Sequence, residues 1–138
     1  MDNLWIETGD MSGGSRNQIE FDADLAQFFV GDAGLPPTGG TISLSLSING
    51  GPWTNCEIAA KRTTFDVDIY RLGLVTAARG GDEYPGRVIR FEKRAGRYFA
   101  VTVADLGSDE HDEWSASSEA NETLSRTGGT GGREFGYF

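Results

Sequence analysis

Apolar and polar residues alternate along several short segments of the chain. Residues 41–48 (TISLSLSI) show this most clearly, with isoleucine or leucine at every second position and serine or threonine between them. A period of two is typical of a strand with one buried face. Asn49-Gly50-Gly51 comes next and favours a tight hairpin turn, so residues 52–60 are predicted to return as the partner strand.

Similar patterns predict the rest of a mainly β domain. Further strands are predicted at residues 4–7, 17–21, 65–69, 87–92 and 97–103, while residues 70–77 are ambiguous. Residues 22–30 (DADLAQFFV) instead predict a short helix, because Asp22 can cap its first turn and Leu25, Phe28 and Phe29 share one helical face. Closely spaced strands without crossover helices favour a sandwich or a partly closed barrel.

The composition changes at residue 105. Residues 105–122 hold seven carboxylates and no lysine or arginine, and two glycine pairs follow near the end of the chain. Such a segment has too little apolar surface to offset its ordering entropy. We therefore predict one folded domain over residues 1–104 and a disordered, acidic, Gly/Ser-rich tail or linker over residues 105–138. Whether Phe135, Tyr137 and Phe138 dock on the barrel stays open.

The net charge of -9 argues at first against a nucleic-acid partner. Much of this charge lies in the tail, however, and residues 61–97 carry nine basic against five acidic side chains. Arginine outnumbers lysine ten to two, and guanidinium is the better fork for phosphate oxygens and guanine edges. An ordinary solvated surface would also explain the local balance.

No set of residues predicts catalysis, a metal or a cofactor. The chain has one histidine, His111, within the acidic segment, and one cysteine, Cys56, which is expected to be a buried structural thiol. The run at residues 109–113 (DEHDE) lacks the spacing of an EF-hand loop. The glycines at residues 127–132 (TGGTGG) lack the Gly-Lys-Ser/Thr of a phosphate loop. We expect a non-catalytic binding protein.

The sequence carries no membrane or export signal. It has no apolar run near the ~20 residues that a membrane helix needs. Its start, MDNLWIETGD, lacks the basic flank and apolar core of a signal peptide. We therefore expect a cytoplasmic protein without a membrane partner.

Two polar segments beside predicted strands contain groups that bind DNA. The first is residues 9–18, and the second is residues 61–64, with Arg71 nearby. Arginine can take guanine through paired hydrogen bonds, asparagine and glutamine can take adenine, and lysine, serine or threonine can hold phosphates.

The order of these features resembles a family of DNA-binding pseudobarrel domains. The segments that carry the resemblance are TGDMSGGSRNQIEF, DLAQFF, KRTTFDVDIYRLGL and PGRVIRFEKRAGRYFAVTV, within residues 4–104. The family includes the plant B-three transcription-factor domains and the EcoRII-type N-terminal effector domains of restriction endonucleases.

The resemblance implies a seven-stranded open pseudobarrel with one or two short helices that recognises a specific double-stranded DNA sequence. In that family two arms enter the major groove, and by position they correspond here to residues 13–18 and 61–68. Together with the polar segments, this makes the DNA-binding candidates Ser15, Arg16, Asn17, Gln18, Lys61, Arg62, Thr63, Thr64 and Arg71. The chain would be the effector domain of a restriction-modification enzyme, and the tail would be a linker toward a C-terminal nuclease domain of a longer parent protein.

Two other interpretations stay open at this point. A phage or virion structural β-barrel that contacts a protein partner and does not bind DNA would agree with the acidic charge. A carbohydrate-binding sandwich would use Trp53, Tyr70 or Tyr98 as a stacking platform.

Overall fold

Nine strands of the described residues form one sheet that curls into a half-barrel. The computed structural model describes residues 1–11, 17–63, 65, 68–128 and 132–138. The strands are β1 (Asn3–Glu7), β2 (Gln18–Phe21), β3 (Thr41–Ile48), β4 (Thr54–Arg62), β5 (Asp68–Gly73), β6 (Arg87–Lys93), β7 (Tyr98–Asp105), β8 (Ser125–Arg126) and β9 (Glu134–Tyr137). The helices are α1 (Ala23–Val30) and α2 (Asp109–Ala120), and short 3-10 turns span Gly31–Ala33 and Ala77–Arg79.

The expected mainly β class is confirmed. From one edge to the other the strand order is β2-β5-β4-β3-β7-β6-β1-β9-β8. Neighbouring strands are antiparallel, except that β3 and β7 run parallel. The described residues contain nine strands rather than the expected seven, because the last part of the chain adds β8 and β9.

The core lies inside the curl of the sheet and is closed by α1. The alternation in β3 buries Leu44 and Leu46 as the sequence predicts. Asp22 caps α1 by accepting a hydrogen bond from the backbone N–H of Leu25 at 2.9 Å. Phe29 on the buried face of α1 stacks edge-on against Phe91 of β6, with ring centroids 4.8 Å apart. Burying a side chain of this size contributes about 2 to 3 kcal/mol.

Residues 105–128 and 132–138 fold onto the sheet, so the expectation of a disordered tail is wrong for this described part of the chain. Ser108 caps α2 by accepting a hydrogen bond from the backbone N–H of His111 at 3.3 Å. Trp114 of α2 is buried in a cluster with Trp5 and Val88 on the outer side of the sheet. β9 pairs antiparallel with β1. The prediction of disorder from composition failed because this segment is held in place by a few long-range contacts. It has no broad apolar face that a sequence pattern would reveal.

Arg133 bridges the two edge regions of the curled sheet. Its guanidinium Nη2 donates to the backbone carbonyl of Glu20 in edge strand β2 at 2.6 Å. Its side chain also lies beside Gly9, where an added Cβ would meet the Arg133 Cδ at 3.5 Å. Burial lowers the pKa of Arg133, while the carboxylates of Glu20 and Asp22 act in the opposite direction. The end of the chain is thereby tied to the strand that follows the first predicted arm.

Candidate nucleic-acid interface

Strands β2, β5 and β4 form a polar outer face at one edge of the sheet. Successive residues of a strand point to opposite sides, so every second side chain faces outward. Arg71 of β5 stands between Glu20 of β2 and Ala59 of β4 in the cross-strand register. Gln18 is the partner of Gly73, two residues further along β5. The register therefore places Gln18, from the first predicted DNA-binding segment, on the same face as Arg71.

A cavity of about 530 Å³ lies on this face and is named here the β2-β5-β4 concavity. It brings together Gln18, Lys61 and Arg71, three of the residues singled out from the sequence. Its other lining residues are Thr54, Asn55, Cys56, Glu57, Ala59, Gly73, Leu74, Val75, Thr76 and Arg79. Three cationic side chains therefore line the cavity against one carboxylate, which favours an anionic ligand.

One further carboxylate reduces the positive charge at the rim of the concavity. Arg71 Nε donates to Glu20 Oε1 at 2.9 Å, and both side chains are about half exposed. An exposed ion pair of this kind contributes about 0 to 1 kcal/mol, so a phosphate or a guanine edge can replace the carboxylate at low cost. The Arg71–Glu20 ion pair therefore orients the guanidinium but leaves it able to change its partner.

The second predicted arm is the end of the β4-β5 hairpin. Residues 61–64 were expected to be a loop, but β4 continues through Lys61 and Arg62 because they pair with Ile69 and Asp68. Lys61 lines the concavity, whereas Arg62, as the next residue, points to the other side of the hairpin. Arg62 Nε lies 3.2 Å from Asp68 Oδ1.

The connection itself differs from the strand predicted for residues 65–69. Phe65 lies in a turn, where its backbone N–H donates to Thr63 Oγ1 at 3.3 Å. β5 begins only at Asp68, whose Oδ1 also accepts a hydrogen bond from Thr38 Oγ1 at 3.1 Å. Thr64, another candidate contact, lies outside the described residues.

The first predicted arm enters the face at the opposite end. Gln18 is the first residue of β2, and the backbone carbonyl of Asn17 accepts a hydrogen bond from the N–H of Leu74 at 2.7 Å. Ser15 and Arg16, two residues expected to contact DNA, lie outside the described residues. Along β5 the partner of Gln18 and the partner of Arg62 are Gly73 and Asp68. The five residue steps from Asp68 to Gly73 span roughly 17 Å along β5, so Gln18 and Arg62 lie at opposite ends of the region formed by β2, β5 and β4.

The acidic helix α2 lies on another part of the sheet. It carries Asp109, Glu110, Asp112, Glu113 and Glu119, and it contacts β9 and β7. Strands β4 and β7 are separated by β3, and β5 and β2 lie still further away in the sheet. None of the described α2 residues lines the β2-β5-β4 concavity.

The aromatic residues considered for carbohydrate binding do not form one platform. Tyr70 is 6% exposed and belongs to the core, so its proposed stacking role is wrong. Trp53 and Tyr98 are about half exposed and meet at 73° with ring centroids 5.2 Å apart. Two rings at this angle do not offer a single flat surface to a sugar.

Cys56 and His111 were the other side chains with reactive chemistry, and both lie in environments that suit a structural role. Cys56 is buried, and burial raises the pKa of its thiol, which makes the thiolate less available. His111 Nδ1 accepts a hydrogen bond from the backbone N–H of Gly107 at 2.9 Å. Among the residues that the structure describes, no three His, Cys, Asp or Glu side chains lie close enough to hold a metal ion. No helix in the described ranges is both long and apolar enough to cross a membrane.

Two parts of this site were missed in the sequence. Arg79 lines the concavity from the short 3-10 turn Ala77–Arg79, and it is not among the candidates that the sequence indicates. Phe65 is the most exposed of the large apolar side chains in the described residues, whereas alternation had predicted a strand position for it. Only the fold of the chain around β5 brings Arg79 near Lys61.

No family model matches the chain, and no curated protein matches it. The resemblance to the pseudobarrel domains therefore stays a prediction from the sequence.

Proposed function

We propose that the chain recognises a specific sequence in double-stranded DNA and performs no catalysis itself. The DNA would lie across β2, β5 and β4, with one arm at each end of this face. The observation that carries the proposal is the convergence of Gln18, Lys61 and Arg71 in one cavity, although they come from three different strands. All three carry side chains of the types that bind phosphates or base edges.

The lining of the concavity favours a duplex over a single strand as the ligand. Single-strand binding sites use several aromatic rings that stack on the bases, and the described residues of the cavity lining include no aromatic side chain. The lining instead offers Lys61, Arg71 and Arg79, whose charges suit the phosphate backbone of a duplex.

The cavity and the second arm offer complementary chemistry. Lys61, Arg71 and Arg79 suit phosphate oxygens, and Gln18 can bind an adenine edge through two hydrogen bonds. Arg62 points to the other side of the hairpin. Its exposed ion pair with Asp68 is weak, so its guanidinium can leave Asp68 and bind a guanine edge instead. Phosphate contacts would fix the register, and Gln18 and Arg62 would read bases.

The same proposal includes a biological role. A non-catalytic domain of this kind would serve as the effector or recognition part of a restriction endonuclease, with nuclease activity in a separate domain of a longer protein. A cytoplasmic location belongs to this proposal. The lining supports it, because among the described residues no α2 carboxylate stands in the cavity where the duplex would bind.

Selection from a duplex library with a randomised core tests the proposal directly. We expect the wild-type protein to enrich one short sequence, with an affinity that decreases as salt increases. A single-stranded library of the same design is the control and should show no enrichment. Failure to shift or enrich any duplex at low salt would refute DNA recognition.

Alanine variants then distinguish a defined DNA-binding site from nonspecific electrostatic attraction to DNA. Arg62→Ala should weaken binding to the enriched sequence about 5- to 150-fold, the effect of about 1 to 3 kcal/mol for one base contact. Arg94→Ala is the matched control, because Arg94 is similarly exposed (56% against 51%) and pairs with a single carboxylate, that of Glu92. Equal losses in both variants would contradict a defined reading position.

A second candidate function is contact with a protein partner without DNA binding, as in a phage or virion structural protein. It is favoured by Trp53 and Tyr98, which are in contact and about half exposed. Exposed aromatic side chains that touch are common anchors of protein interfaces. Light scattering with the Trp53→Ala variant distinguishes the two functions, because loss of an oligomer with no response to DNA would support the second.

A further inference from the structure

The connection between β4 and β5 carries an apolar side chain in a polar setting. Arg62 and Asp68 are cross-strand partners, so residues 63–67 form the connection and Phe65 is its central position. Phe65 is 87% exposed, and its backbone N–H donates to Thr63 Oγ1. The two residues that lead into this connection, Lys61 and Arg62, are both cationic. An exposed phenyl ring therefore stands at the end of a hairpin whose residues 61–68 carry two basic side chains, Lys61 and Arg62, and two acidic ones, Asp66 and Asp68.

The chemistry of the major groove restricts what such a ring can read. A phenyl ring cannot make the hydrogen bonds by which most base edges are distinguished. The groove presents one apolar group to a protein, the methyl group at C5 of thymine, and phenylalanine is among the residues that contact it. A cytosine methylated at C5 places the same group at the same position.

We propose that Phe65 is a specificity-determining residue that reads a C5 methyl group of a pyrimidine in the major groove. This role rests on the proposed function and deepens it. Arg62 and Lys61 anchor the hairpin through charge, and the ring of Phe65 covers the methyl group and removes it from water. Burial of apolar surface then supplies discrimination that the cationic side chains alone do not give.

Two series of modified duplexes test this role and distinguish the two sources of the methyl group. Starting from the duplex that the wild-type protein enriches, each thymine is replaced by uracil, and each cytosine in a second series by 5-methylcytosine. For a thymine reader, one uracil should weaken wild-type binding about fourfold, the effect of one buried methyl group. For a methylcytosine reader, one 5-methylcytosine should strengthen it by a similar factor.

The Phe65→Ala variant decides whether this ring is responsible. It should bind the original and the modified duplex equally at the position where the wild type distinguishes them. Phe65→Leu keeps an apolar side chain and should retain part of the discrimination. Leu106→Ala, which removes another exposed apolar side chain, should retain all of it. Since Phe65 is almost fully exposed, thermal unfolding should be unchanged in both Phe65 variants.

The outcomes separate this role from the proposed function. Two results would overturn the role of Phe65 and leave DNA recognition in place. In the first, the wild type binds a specific duplex and no methyl change alters its affinity. In the second, a methyl change alters the affinity of the wild type and of Phe65→Ala equally. Absence of any duplex binding by the wild type overturns both.

Discussion

Trp5 and Ser118, which are 113 residues apart in the sequence, form a buried hydrogen bond in which the indole N–H donates to the serine Oγ at 2.8 Å. Both residues are fully buried. Trp5 belongs to β1 and Ser118 to α2, so the bond attaches the acidic helix to the sheet. An indole N–H buried without a partner is costly, which gives this single contact a measurable effect.

The first prediction concerns this bond. Ser118→Ala leaves the Trp5 N–H without its acceptor and should lower the free energy of unfolding by about 1 to 3 kcal/mol, measured by urea denaturation. Ser117→Ala is the matched control, because it removes the neighbouring hydroxyl from the same helix, and it should change stability by less than about 0.5 kcal/mol. Equal stability of the two variants would contradict a buried bond between Trp5 and Ser118.

The second prediction concerns the close approach of β9 to α2. A Cβ added at Gly136 would lie 2.3 Å from Ser118 Oγ and 3.0 Å from Trp5 Nε1. Gly136→Ala should therefore destabilise the protein by about 1 to 3 kcal/mol through overpacking. Gly128→Ala should have little effect, since nothing lies within 4 Å of the added atom there.

A double variant checks the cause of this loss. Ser118→Gly removes Cβ and Oγ of Ser118, the two nearest of the three side-chain atoms that the new Cβ would meet. The losses of Gly136→Ala and Ser118→Gly should then be clearly less than additive in the double variant, because the two sites share one contact. Additive losses would mean that the clash lies elsewhere.

The last quarter of the fold shows why composition alone was misleading. Among the twelve residues of α2, only Trp114 and Ser118 are buried, which leaves almost no apolar periodicity to detect. The partner of Ser118 is Trp5, at the other end of the sequence. In contrast, the alternation in β3 and the capped α1 could be predicted because their signals lie within one short segment.

The residue types of the candidate site could be predicted from the sequence, but their arrangement in space could not. The residue types of Gln18, Lys61 and Arg71 indicated groups suitable for DNA, and the register of β2, β5 and β4 brings them together. The extent of the hairpin was missed, because β4 continues to Arg62 through pairing with Asp68. Cross-strand pairing of this kind depends on the partner strand and leaves little local pattern.

The third prediction concerns stability at alkaline pH. The hydroxyl of Tyr84 is buried, donates to the backbone carbonyl of Val75 at 2.5 Å and accepts from the N–H of Asp82 at 3.3 Å. Burial is the main cause that raises the pKa of Tyr84 to about 12. In the unfolded chain the tyrosine ionises near pH 10. Between these values the unfolded state binds fewer protons, so stability is fully present below about pH 10 and falls as the pH rises.

The size of this decrease can be measured by comparing variants. By about pH 11 the wild type should lose about 1.4 kcal/mol through Tyr84 alone. Tyr84→Phe should be less stable at neutral pH by about 1 to 2 kcal/mol, because the Val75 carbonyl loses its donor, but it should lack this part of the alkaline decrease. Tyr98→Phe, at a half-exposed position, should keep the decrease. An identical pH profile for the wild type and Tyr84→Phe would contradict the prediction.

The fourth prediction concerns the bridge between the end of the chain and the edge strand β2. Arg133 donates to the Glu20 carbonyl at 2.6 Å, and a hydrogen bond from a charged donor contributes about 1.5 to 3 kcal/mol. Arg133→Met keeps most of the apolar stem and removes the donor. It should therefore lower stability by about this amount and increase amide hydrogen exchange in β2 more than in the central strand β7.

Arg126 provides the matched control for this bridge, because it lies in the same terminal hairpin and carries the same charge. Its guanidinium is mostly exposed, donates to the carbonyl of Gly132 within the same hairpin at 3.2 Å, and approaches the carboxylates of Glu7 and Glu134 only to 3.8 Å. These exposed contacts contribute little and none of them reaches β2, so Arg126→Met should change stability only slightly and leave the exchange of β2 unchanged. If Arg126→Met loosened β2 as much as Arg133→Met, the loss of positive charge, and not the bond to Glu20, would be responsible. If only Arg133→Met loosened it, the terminal segment would be holding the strand that begins with Gln18, and DNA affinity of this variant should fall along with the protection of β2.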